Sequence, residues 1–284
     1  MALHNMPDLG TMLMPGAGDY GAECIRLAGL AARSVRVEWD LAYGPDPFQQ
    51  LDIWLPEQPQ GAPVLLFIHG GAFRNGHKEW IGAHAPSVTA AGAILVSPNY
   101  RLTPAVRVAD VIADCFAALA WVHGNIAARG GDPDRILVGG HSAGAHLAGM
   151  LALRQTDLAA RNIPADAIRA CLPVSGVFNG VLDELGPDSI MRRFHEQFFA
   201  SPAEAAAATA FTHLPGATVP FHVAYGEHEP ADLIADNRRL VADLSRAGTL
   251  IGMDLFAGAD HFAAHLACLD PQGPWLARLR TLLA

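Results

Sequence analysis

Gly140-His141-Ser142-Ala143-Gly144 decides how this chain is read, because the apolar run Arg135-Ile136-Leu137-Val138-Gly139 leads into it and the alanine-rich stretch Ala143 to Leu151 leads out. The pattern is strand, sharp turn, helix. A G-x-S-x-G placed there forces the serine onto a strained turn that lifts its Oγ above the end of a sheet. The flanking positions must be glycine because a Cβ would strike the neighbouring strand and helix. Ser142 is therefore the candidate nucleophile. With 28 glycines among 284 residues the pentapeptide can also arise by chance, so its partners decide the reading.

A serine hydroxyl attacks poorly unless a base takes its proton, and the oxyanion that follows needs N–H donors already in place. The buried-looking run Val64 to Ile68 ends in His69-Gly70-Gly71-Ala72-Phe73. Adjacent glycines let the backbone turn its amides toward a ligand, so Gly70 and Gly71 N–H, with Ala143 N–H just after the nucleophile, form the expected oxyanion hole. A Gly-Gly turn leaving a strand is the plainer alternative.

The base is expected late in the chain, after the last core strand, Leu250 to Phe256. Ala257-Gly258-Ala259-Asp260-His261-Phe262 is the loop behind that strand, and His261 is the candidate among 13 histidines. Its rival, His265, falls within a helix-like segment from Phe262 to Leu269 and is expected to point away from the site. The acid should follow the preceding strand, Phe221 to Tyr225, where it can fix the imidazole tautomer. In Gly226-Glu227-His228-Glu229-Pro230, Glu229 stands deeper in the loop and is preferred, with Glu227 and Asp232 behind it.

These residues carry a resemblance. HGGAF at 69–73, Asn99-Tyr100-Arg101-Leu102-Thr103-Pro104, Gly131-Asp132-Pro133-Asp134-Arg135-Ile136 and GHSAG at 140–144 resemble the hormone-sensitive-lipase-type carboxylesterases and the related kynurenine formamidase (arylformamidase) branch, over roughly residues 40 to 265. The order Ser142, Glu229, His261 matches the serine, acid, histidine order of the α/β-hydrolases. The segments Tyr43-Gly44, Leu51 to Pro56 and Gly140 to Leu151 lean toward the formamidase branch. The chain departs from both branches at Ala72, where one has glycine and the other an aromatic residue, and in using Glu where the acid is more often Asp.

With 51% hydrophobic and 17% charged residues, a chain this long can bury the core of one α/β unit. No run reaches the roughly 18 consecutive apolar residues of a membrane helix, and Met1 to Asp8 lacks the form of a signal peptide, so a cytoplasmic protein is expected. Cys24, Cys115, Cys171 and Cys268 lie far apart with no CxxC pairing, so no disulfide framework is expected, and Cys115 and Cys171, in apolar segments, read as small core residues. A net charge of −9 argues against nucleic acid or an anionic membrane as partner. The oligomeric state stays open, a homodimer included.

Strands are expected near 35–40, 50–55, 64–68, 93–98, 135–139, 170–175, 221–225 and 250–256. Helices are expected near 108–128, 143–155, 231–247 and 274–283. The alternation predicts an α/β-hydrolase fold: a mostly parallel eight-stranded sheet with helices on both faces and a small helical cap. Residues 1–34 and 180–216 fall outside the repeat and are the expected cap elements of the single domain 1–284. Phe73, Phe194 and Phe198 are candidate pocket residues, although the apolar spacing of Ile190, Met191, Phe194, Phe198 and Phe199 also suits packing against the body.

The expected chemistry is cleavage of a small carboxylic ester through an acyl-enzyme, with no metal or organic cofactor required. A formamidase acting on N-formylkynurenine or a related aryl amide is the alternative, and would want a cation such as Arg74 or Lys78 near the site. A catalytically dead ligand-binding relative would be expected to lack the nucleophile or base, and both are present here.

Overall fold

The computed structural model describes residues 14–284, so the part of the first cap segment before residue 14 lies outside the described residues. Eight strands stand at the eight expected places: β1 Arg36–Ala42, β2 Gln50–Leu55, β3 Ala62–Ile68, β4 Ile94–Pro98, β5 Gly131–His141, β6 Ile168–Val174, β7 Phe221–Gly226 and β8 Leu250–Phe256. They form one sheet in the order β1-β2-β4-β3-β5-β6-β7-β8. The strand β2 runs antiparallel to both of its neighbours, while β4, β3, β5, β6, β7 and β8 are mutually parallel. The largest boundary difference is in β5, which starts four residues earlier than expected because Gly131 pairs with Ala62 before the register shifts.

Every residue of β3 and β4 is buried, as the continuous apolar runs require of strands covered on both faces. The side-chain period of two divides each strand between two cores. Val64, Leu66, Ile68 and Val138 face the helices Val108–Asn125, Ala143–Leu153 and Ala231–Ala247. Leu65, Phe67 and Leu137 face the helices Ala85–Ala90, His261–Ala267 and Pro274–Leu283. Among the described residues one helical stretch, Val108–Arg129, is long and apolar enough to cross a membrane. Its Val111, Cys115 and Leu119 are packed in the first core. All four cysteines are buried and free.

Three elements were not legible as such in the sequence. Ala17–Ala31 is a helix, and the β3–β4 connection holds a 3-10 turn at Lys78–His84 followed by the helix Ala85–Ala90. The segment 180–216 forms three short helices, Ile190–Arg193, His195–Phe198 and Pro202–Ala207, and a final 3-10 turn. Because β3, β5, β6, β7 and β8 run in the same direction, the loops after residues 68, 141, 174, 226 and 256 all emerge at one edge, where open α/β sheets place their ligands.

Candidate active site

The turn after β5 has the strain its sequence demands. Ser142 takes φ 57° and ψ −121°, outside the regions an L-residue ordinarily occupies, and its N–H donates to Val174 O at 2.9 Å. A Cβ on Gly140 would come within 2.4 Å of Gly144 backbone atoms, and one on Gly144 within 2.0 Å of Ile68 O. Both glycines are therefore dictated by close backbone approach. The helix Ala143–Leu153 starts at once and is buried along its whole length, which fixes the elbow from behind.

His261 meets the serine from the other side. Asp260 caps the helix His261–Ala267 by accepting from Phe262 N–H at 3.1 Å and Ala263 N–H at 2.8 Å, which sets His261 as its first residue. Ser142 Oγ lies 2.9 Å from His261 Nε2, and His261 Nδ1 lies 2.7 Å from Glu229 Oε2. An ionised carboxylate only accepts, so Nδ1 carries the proton and Nε2 is left to receive the hydroxyl hydrogen of Ser142. All three side chains are buried. Burial alone would raise the Glu229 carboxyl, but the bonds from His261 and from Gly226 N–H prevail and hold it below its ordinary value. Glu227 is turned away, accepting from Gly258 N–H at 2.8 Å, and Asp232 lines the cavity in front of Ser142.

The HGG loop turns its carbonyls inward. His69 O accepts from Tyr100 Oη at 3.0 Å, Gly70 O from His69 Nδ1 at 2.7 Å, and Gly71 O from Arg74 and Asn75 N–H at 3.0 and 2.9 Å. In a trans peptide the next N–H points the opposite way, so the amides of Gly70, Gly71 and Ala72 are directed away from those partners. Gly71 and Ala72 line the cavity beside Ser142. Gly70 is buried, and a Cβ there would lie 2.9 Å from both His141 O and Ser142 Cβ. Ala72, at φ 52°, was not singled out from sequence as a donor. Ala143 N–H belongs to the first turn of its helix, where amides have no intrahelical acceptor.

The loop is braced by the Asn99-Tyr100-Arg101 segment. The Tyr100 ring stacks on His69 at 4.3 Å, and Arg101 holds the buried Asp114 with Nε and Nη2 at 2.8 and 2.7 Å. The sequence places Gly71 in a loop at the sheet's edge and so predicts that a side chain there would spare stability. The structure corrects this: Gly71 has φ +114°, and a Cβ would lie 2.2 Å from Asn75 O. Gly71→Ala is expected to reduce turnover and also to destabilise the fold by roughly 1–3 kcal/mol. Thermal melting checks this, and an unchanged Tm would contradict it.

A cavity of about 200 Å³ opens onto Ser142 and His261. Its walls come from the N-terminal helix region (Met14, Ala17, Tyr20), from Trp80 and Phe262, and from Val177, Ile190, Met191 and Leu233. None of the three aromatic residues expected there lines it. Phe73, at φ 59°, sends its ring into the core, edge-on to His146 at 5.5 Å and Phe198 at 5.7 Å. Phe198 is buried beside it, and Phe194 lies under the Arg74 and Arg193 guanidinium groups. Lys78 is likewise turned from the cavity: its Nζ sits 2.7 to 2.8 Å from Asp40, Asp52 and Glu79. Arg74 bonds Gln197, and the basic residue on the cavity wall is Arg193.

This strand order, with a Ser-His-Glu line at the carboxyl edge of the sheet, is that of an α/β-hydrolase. Esterase B from Lactobacillus rhamnosis superposes with a TM-score of 0.76 at 21% identity, covering 98% of this chain and 96% of that one. The Pyrobaculum calidifontis esterase gives 0.70 at 21%, covering 93% and 89%. The chain belongs to the BD-FAE family, whose model matches residues 51–231. Among curated proteins it is similar to esterase LipQ of Mycobacterium tuberculosis, 34% identical over 74% of this chain and 53% of that protein. It is also similar to isoprenylcysteine alpha-carbonyl methylesterase of Arabidopsis thaliana, 34% identical over 51% of this chain and 35% of that one. The chain thus spans about half or less of the length of these relatives.

Proposed function

We propose that the chain is a serine hydrolase that cleaves small carboxylic esters through an acyl-enzyme intermediate. The observation that carries this reading is the bonded line Ser142–His261–Glu229 beside a cavity edged by the Gly71 and Ala72 backbone. Ser142 Oγ attacks the ester carbonyl as His261 Nε2 takes its proton. Glu229 stabilises the imidazolium through Nδ1–H, and His261 then gives the proton to the leaving alcohol. The amides of Gly71, Ala72 and Ala143 receive the oxyanion, while Gly70 keeps the loop against the nucleophile. Water repeats the sequence to release the acid. The names of the curated relatives, an esterase and a methylesterase, support the same class of bond.

The cavity supports a small substrate. At about 200 Å³ it lies below the roughly 300–1,000 Å³ of pockets for drug-sized ligands. Its walls are mostly apolar, so acyl groups of about two to six carbons are expected to be the best substrates. The optimum should be broad, since one methylene is worth only about 1–3 kcal/mol. A panel of p-nitrophenyl esters from acetate to decanoate, run beside N-formylkynurenine, checks this through kcat/KM. Neither Arg74 nor Lys78 reaches the cavity, and among the described residues the cation available there to an amino-acid carboxylate is Arg193. A hundredfold preference for N-formylkynurenine over every short ester would nevertheless replace the ester reading with the formamidase one.

A further inference from the structure

Behind the catalytic histidine lies a line of buried polar rings that the mechanism above leaves unused. His141 Nε2 is 2.9 Å from the main-chain carbonyl of His261. Tyr20 Oη lies 3.5 Å from His141 Nδ1 and 2.9 Å from His265 Nδ1, and His265 Nε2 is 2.9 Å from His84 Nε2. The rings are also in contact: His141 lies 4.6 Å from His261 and is stacked on His265 at 4.8 Å. Every one of these side chains is less than a tenth exposed.

A carbonyl only accepts, so His141 Nε2 carries a proton and its Nδ1 must be given one. One arrangement satisfies every group: His84 Nε2–H donates to His265 Nε2, His265 Nδ1–H to Tyr20 Oη, Tyr20 O–H to His141 Nδ1, and His141 Nε2–H to His261 O. Burial pushes His84 down to about 3 and holds His141 and His265 well below the ordinary histidine range, so the line is neutral and each ring keeps one donor and one acceptor.

Resting on the serine-hydrolase reading, we propose that His141 is a positioning residue for His261, and that Tyr20 of the N-terminal helix locks it in the donor tautomer this requires. His141 precedes Ser142 in the chain and bonds the backbone of His261. It thereby ties β5 to the start of the helix His261–Ala267, at the point where the distance between Oγ and Nε2 is set. A misplacement of about 1 Å in such a pair can cost as much as a hundredfold in rate. The Tyr20 ring adds a second hold, stacking on Phe262 at 4.7 Å.

The test compares His141→Leu, His141→Gln and Tyr20→Phe with wild type, by kcat and KM on p-nitrophenyl butyrate and by the second-order rate of Ser142 phosphonylation with a fluorophosphonate. Glutamine can offer an N–H near the Nε2 position, and leucine cannot. His141→Leu is expected to lose at least about tenfold in both kcat and phosphonylation rate with KM changed less than about threefold. Glutamine should recover most of the loss, and Tyr20→Phe should fall between. Equal rates for leucine and wild type, or glutamine no better than leucine, would overturn the proposal. If His141→Leu does not fold, Tyr20→Phe decides: a rate at least about threefold down supports the proposal and a wild-type rate overturns it. Failure of the fluorophosphonate to label Ser142 in the wild type would instead overturn the serine-hydrolase reading itself.

Discussion

Ser142→Ala is expected to lower kcat on a short acyl ester by about 10⁴ or more while the protein stays folded, and His261→Ala to do the same. The hydroxyl and the imidazole act as one unit, since Nε2 is the only route by which the Oγ proton leaves in the 2.9 Å contact. The double variant should therefore be little worse than either single one. Glu229→Gln leaves the shape of the loop but offers His261 Nδ1 an amide in place of a carboxylate, so it should cost about 10²–10⁴. Glu227→Gln, whose carboxylate holds Gly258 N–H instead, should cost little. Near-wild-type turnover in either the Ser142 or the His261 variant would remove the mechanism. A large effect at Glu227 with none at Glu229 would reassign the acid.

The second large effect expected is acid unfolding. Burial lowers His69 and His84 to about 3 and His146 to about 4, and holds His141 and His265 well down. Burial lowers His77 in the same sense, so once pH falls below the unfolded value of about 6.5 the unfolded chain takes up protons at these imidazoles that the folded chain refuses. Two buried carboxyls act in the opposite sense. Burial raises Asp52 to about 7 and Asp236 to about 6, so the folded chain takes those two protons first. The lowered imidazoles outnumber the two raised carboxyls, so the unfolded chain binds more protons and stability falls as pH drops below about 6, by about 1.4 kcal/mol per pH unit for each net proton. Against a typical total stability of about 5–15 kcal/mol, cooperative loss of structure is expected between about pH 5.5 and 4. Circular dichroism against pH measures it, and full denaturant resistance retained at pH 4 would show that these imidazoles are not held neutral.

The parts of the site that were legible in the sequence are those that a local rule places. The elbow serine, the histidine after the last strand and the acid after the strand before it each sit where a parallel strand ends. Loop depth distinguished Glu229 from Glu227. The regular alternation of strand and helix likewise marked the eight strands; in the central ones burial on both faces leaves a continuous apolar run, while the edge strands β1 and β8 are only partly buried.

The cavity walls were not legible, because they depend on side-chain direction and on contacts distant in sequence. Phe73 follows HGG and reads as a roof residue, but its left-handed backbone turns the ring into the core. Tyr20 meets His141 across 121 residues, and no pattern in the sequence joins them. His265, as expected, does not line the cavity, but nothing in the spacing marks its stacking on His141. The helix begins at His261 rather than at Phe262, which puts His265 four residues on and on the same face. Its ring therefore stands behind His141.

Rapid quenching of the protein during turnover of p-nitrophenyl butyrate, followed by peptide mass mapping, looks for the acyl-serine itself. A butyryl group on Ser142 is expected, forming within the first turnover and decaying at the steady-state rate. Sustained turnover with no adduct, or with the adduct on another residue, would contradict it.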